Sequence, residues 1–133
     1  MDGKEKIIGQ AKTVLVVSDG QSQLGAITTI FVSAKSTEDK GCKVCCTGSS
    51  EFNEHTIEHY RKNLLPIFDS ICGRCNIRYK NFSISAENLQ AAAINDAKLE
   101  INGFSADVSV FIAMLSALLG VPVSQNFVFS GHI

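Results

Sequence analysis

Residues 102–133 read NGFSADVSVFIAMLSALLGVPVSQNFVFSGHI, and the place of Ser105 in that stretch decides how the chain is understood. A polar turn hands over to an apolar run from Val108 to Val123, in which Ser109, Ser116, Gly120 and Pro122 are the exceptions. The run falls short of the roughly 20 apolar residues that span a bilayer, so it predicts a buried helix. Ser105 stands where that helix should begin, and through Leu119 the pattern continues. Its hydroxyl can cap the first turn by accepting from a free backbone N–H. The same position would set a nucleophile beside unpaired N–H groups able to hold an oxyanion. Sequence context suits both roles. Ala106, Ser109, Ala113, Ser116, Ala117 and Gly120 supply small residues along the helix, which predicts close packing against a neighbour. Gly120 followed by Pro122 ends it, and NFVFSGHI reads as a last strand.

Upstream, AKTVLVVS from Ala11 and AITTIFVSA from Ala26 are both rich in β-branched residues and are joined by the turn-forming DGQSQLG. They predict an antiparallel pair. After the charged turn STEDKG, the short KVCC predicts a third strand. Phe52, Ile57, Tyr60, Leu64 and Leu65 approximate one helical face, with acids early and bases late, so a helix is expected from about Glu51. Pro66 should bend or break it. NIRYKNFSIS alternates like a half-buried strand, whereas AENLQAAAINDAKLEING fits either a short helix or an irregular insertion. The fold class expected is α+β, with an N-terminal β-hairpin, a mixed sheet and two main helices.

The chain has 133 residues, enough for one domain with a real core. At 45% hydrophobic and 19% charged residues it is too apolar for a disordered segment. Twelve bases against thirteen acids give a net charge of -1, so bulk charge indicates neither nucleic acid nor an anionic membrane as a partner. MDGKEKIIGQ lacks the apolar centre of a signal peptide, which points to the cytoplasm. Residues 1–10 are read as an N-terminal tail and 11–133 as the domain.

Two further patterns invite a metal reading. Cys42-x-x-Cys45-Cys46 with Cys72-x-x-Cys75 offers two thiolate pairs for zinc, yet residues three apart on a strand face opposite ways. Reduced cysteines packed as small hydrophobes are the reading preferred here. His55-Thr56-Ile57-Glu58-His59 has the H-x-x-E-H order of some zinc peptidases, but no third ligand follows it, and a solvated helix face explains it equally well. No metal ligand is assigned.

Three blocks in order, Gly103-Phe104-Ser105-Ala106-Asp107, Gly120-Val121-Pro122-Val123 and Ser130-Gly131-His132-Ile133, resemble the proteolytic domain of the Lon family. There G-P-S-A-G opens a small-residue helix, G-x-P-V ends it, and T-G-E-I closes a strand. The upstream hairpin and the KVCCTGSS step are similar too, so the resemblance spans roughly residues 10–133. It implies hydrolysis of peptide bonds in unfolded or damaged proteins by a Ser-Lys dyad, with Ser105 as nucleophile, in a homo-oligomeric ring. The lysine of the family lies past the T-G-E-I strand, so residues 11–133 are expected to lack it and to be inactive alone. No cofactor is expected in this chain, and there is no G-x-x-x-x-G-K-[ST] loop. ATP and magnesium would belong to an ATPase module elsewhere. Phe104, Asp107 and His132 stand where the family has proline, glycine and glutamate, and Asp107 puts a carboxylate near any oxyanion site. The alternative is a non-catalytic assembly or binding domain in which Ser105 only caps the helix.

Overall fold

The computed structural model describes residues 6–18, 23–46, 51–52, 54–87, 100–102 and 106–133. The predicted hairpin is formed by β1-flanked strands: β1 is Lys6–Ile7, β2 is Gln10–Ser18 and β3 is Gln23–Ser36, with β2 and β3 antiparallel. β4 (Lys43–Cys46) lies parallel to β6 (Lys80–Glu87), and β6 is antiparallel to β3. The chain reaches β6 from β4 through two helices, α1 (Glu54–Asn63) and α2 (Leu65–Cys75). On the other edge of β2 lie β7 (Glu100–Asn102), antiparallel, and β9 (Val128–Phe129), parallel. β5 (Glu51–Phe52) pairs with β7, while α3 (Asp107–Leu119) and β8 (Val123–Ser124) complete the elements, β8 pairing with β1. The main sheet thus runs β4-β6-β3-β2-β7-β5 among the described residues. The protein is α+β with a mixed sheet.

Alternation explains why the sheet has a dry face. The register sets Ala34 opposite Phe82, Val32 opposite Ile84 and Ile30 opposite Ala86, and Phe82, Ile84, Ala86 and Ile30 are all fully buried. One residue on, Ser33, Lys35 and Asn81 are exposed or half-exposed partners on the opposite face. A one-residue slip would drive this whole set into water. The helices cover the dry face: Phe68 of α2 meets Phe82 of β6 and Phe111 of α3 at ring-centroid distances of 5.2 and 5.3 Å.

The helix expected near Glu51 begins at Glu54, because Glu51 and Phe52 pair with Glu100 and Ile101 instead. Pro66 has no N–H to continue the ladder, so the helix breaks at Leu64 into α1 and α2. The strand predicted from Asn76 starts at Lys80, since Asn76 is spent on a left-handed C-cap of α2. The chain joins the fold at Lys6 rather than Ala11, through the β1 and β8 pair. Residues 88–99 of the ambiguous stretch lie outside the described residues, and its end forms β7. Among the described residues, no helix is long and apolar enough to cross a membrane.

α3 packs as its small residues require. Ser109 and Ala113 are fully buried, and Ala106 and Ser116 nearly so. The Ser109 hydroxyl shares its proton between the carbonyls of Phe129 (2.9 Å) and Lys12 (3.2 Å), which fixes α3 across β2 and β9. At the far end the Ser116 hydroxyl donates to Val121 O and accepts from Gly9 N at 2.9 Å.

Candidate functional site

The first turn of α3, the second turn of α1 and the chain's last residues converge at one place. The N-cap position of α3 is Ala106, which makes no side-chain cap bond. Ser105, the nucleophile or cap expected from sequence, lies outside the described residues. Ala106 pairs with Gly131 in a parallel bridge, and Val108 N donates to Gly131 O at 3.3 Å. A Cβ at position 131 would sit 2.7 Å from Val108 Cγ2, so any side chain there requires the Val108 methyl to shift.

Asp107 is the centre of this junction. Its carboxylate is fully buried in the first turn of α3, where the helix dipole favours a negative charge. Oδ2 accepts from Ile133 N at 2.9 Å and from His59 Nε2 at 2.5 Å. His132 Nε2 lies 4.0 Å from the same oxygen. Oδ1 is buried with no hydrogen-bond partner. Burying a carboxylate in this way is costly unless charge or hydrogen bonds compensate it.

His59 supplies part of that compensation, and the tautomer follows from its neighbours. Asn63 Nδ2 lies 3.2 Å from the His59 carbonyl oxygen and 2.8 Å from His59 Nδ1, so it donates to both. Nδ1 is therefore an acceptor, and Nε2 carries the proton donated to Asp107. The rings of His59 and His132 are 5.3 Å apart. Tyr60, the next residue on α1, is fully buried with its hydroxyl unpartnered. Burial, with the nearby Asp107 and Cys46 charges adding to it, pushes its phenol well above the ordinary range.

No protein-family model matches the chain, and no curated protein does. The geometry therefore carries the functional argument.

Sequence reasoning treated His55 and His59 as a pair, but among the described residues only His59 of the two joins the group around Asp107. His59 turns to Asp107, whereas His55 and Glu58 are exposed and Glu58 reaches Arg61 at 3.5 Å. Asp107 and His132 entered the sequence reading only as departures from a motif. The structure brings the two within 4.0 Å of each other, a juxtaposition that local sequence pattern does not reveal.

The cysteines do not assemble into a four-thiolate shell among the described residues. Cys42 and Cys72 are buried with their sulfurs 3.9 Å apart, Cys46 is half-buried, and Cys45 and Cys75 are exposed. Alternation along β4 puts Cys45 outside, and Cys75 ends α2, so burial holds for fewer of them than the composition suggested. Burial pushes the Cys42 thiol up to about 12 and the Cys46 thiol up to about 11. Since the thiolate is the nucleophile, iodoacetamide at about pH 8 is expected to label Cys45 and Cys75 first and Cys42 only on unfolding. Peptide mass spectrometry over time measures this, and Cys42 labelling as fast as Cys75 would contradict the buried pair.

Proposed function

We propose that the chain is a Lon-like proteolytic domain of an ATP-dependent or Lon-like serine peptidase, with Ser105 as nucleophile at the start of α3. The observation that supports the reading is the Ala106 and Gly131 bridge, which joins the block around Ser105 to the Ser130-Gly131-His132-Ile133 block. Those are two of the three blocks that carried the resemblance on sequence alone, and the glycine shared with the family pattern packs closely on Val108 where they meet. The base is a lysine in sequence following that strand, kept neutral by desolvation so that it takes the serine proton. Unfolded or damaged proteins are the substrates, fed by an ATPase module in a homo-oligomeric ring. The cytoplasm is the compartment, consistent with five free thiols.

The test uses the full-length protein with ATP, magnesium and casein. Ser105→Ala is expected to reduce peptide-bond cleavage by about 1000-fold or more, the scale of losing a covalent nucleophile. Wild-type cleavage by that variant sinks the proposal.

A second reading, a non-catalytic assembly or binding domain, is favoured by Asp107. A buried carboxylate two residues from Ser105 opposes the negative charge that an oxyanion develops at the same helix start. On this reading the full-length protein shows no cleavage to lose, and Ser105→Ala leaves ring assembly unchanged by analytical ultracentrifugation.

A further inference from the structure

We propose that His59, Asp107 and His132 form a binding site for a zinc-type divalent ion. The inference stands on different residues from the peptidase reading and does not rest on it. One ligand atom from each side chain lies within 4.8 Å of the other two. Zinc bonds of about 2.0–2.2 Å to imidazole nitrogen and carboxylate oxygen put neighbouring ligand atoms roughly 3.3 Å apart in a tetrahedron. The His59 to Asp107 distance of 2.5 Å has to open by somewhat under an ångström, and the His132 to Asp107 distance of 4.0 Å has to close by a similar amount.

A second observation points to a ligand at this place. Asp107 Oδ1 is buried with no hydrogen-bond partner, on a carboxylate that is fully enclosed and already beside two imidazoles. Buried polar atoms in folded proteins are almost always satisfied, by protein, water or an ion. A cation held by the two imidazoles and by both oxygens of Asp107 answers the orphan Oδ1 and the enclosed negative charge together. The donor set of two imidazoles and one carboxylate suits zinc and its transition-metal neighbours, whereas calcium and magnesium favour shells of oxygen. With the His132 side chain 64% exposed, the ion is reachable from solvent and retains a position for water.

Coordination through His59 Nε2 displaces the proton it shares with Asp107, and in the neutral ring that proton moves to Nδ1. Asn63 then meets it by turning its amide over, presenting Oδ1 to Nδ1 and giving up its bond to the His59 carbonyl. This is the outer partner that metal-bound histidines commonly have.

The experiment is calorimetric titration of the chelator-treated full chain with zinc sulfate, before and after its exposed thiols are alkylated. Cobalt is the spectroscopic probe. One ion per chain is expected in both preparations, with tetrahedral cobalt bands lacking the intense sulfur charge-transfer band. His132→Ala removes an exposed side chain, so folding by circular dichroism should be unchanged. Its affinity should fall by about 100-fold or more, beyond the 10- to 100-fold seen for outer partners. His55→Ala should bind as the unaltered chain does. No binding by the unaltered chain, binding that disappears on alkylation, or full affinity in His132→Ala would each overturn the site.

Discussion

Gly9→Ala should destabilise the protein by about 3 kcal/mol or more, the sum of a left-handed backbone cost of about 1–2 kcal/mol and a clash with backbone. Gly9 sits at φ +77 in the turn between β1 and β2. A Cβ there would stand 2.3 Å from the carbonyl oxygen of Val32, and that oxygen belongs to a strand in the middle of the sheet, so it has no flexible end to swing away. The turn would have to lift off β3. Doing so breaks the bond from Val32 N to Gly9 O at 2.7 Å and the bond from Gly9 N to Ser116 Oγ at 2.9 Å. The second of these reaches the C-terminal end of α3, so the substitution loosens the helix whose other end holds Asp107. Urea unfolding monitored by circular dichroism measures the loss. A change under about 1 kcal/mol, below either contribution, would mean that the turn is not held as described.

Much of this architecture was legible because it rests on short-range pattern. The alternation in AKTVLVVS and AITTIFVSA is the one that buries Ala11 and Thr13 on one strand and Ile30 and Val32 on the next, and Pro66 broke its helix for a reason visible in the residue itself. What sequence could not give is pairing at long range. Glu51 and Phe52 fall inside a helical pattern, yet they are claimed by β7, some fifty residues away, because Phe52 gains burial and an edge-on contact with Tyr60 there. The same limit hid the candidate site. His59 reads locally as one face of HTIEH, and its partner Asp107 reads locally as a helix-start acid; only the folding of α1 beside α3 makes them one group. Ser105 was read at the start of the helix as its cap or as a nucleophile; the N-cap position falls to Ala106, and Ser105 itself lies outside the described residues.

Phe68→Ala is expected to cost about 3–5 kcal/mol, the range for deleting a buried aromatic ring and leaving a cavity. Phe68 is fully buried, and its ring touches both Phe82 of β6 and Phe111 of α3 from α2. Both contacts are tilted, at 58° and 50°, an arrangement worth about 0.5–1.5 kcal/mol per pair beyond the area removed from water. Neighbours cannot collapse into the space easily. Phe82 is held by its strand register, and Leu64 and Leu65 are held at the break before Pro66. Against a total stability of about 5–15 kcal/mol, the loss takes a large share and falls where the three elements are joined. Phe68→Leu retains most of the volume and should recover more than half of it. If the alanine variant instead unfolds within about 1 kcal/mol of the parent in urea, α2 is not fastened to β6 and α3 through this ring, and the helical layer that carries His59 must be held to the sheet by other contacts.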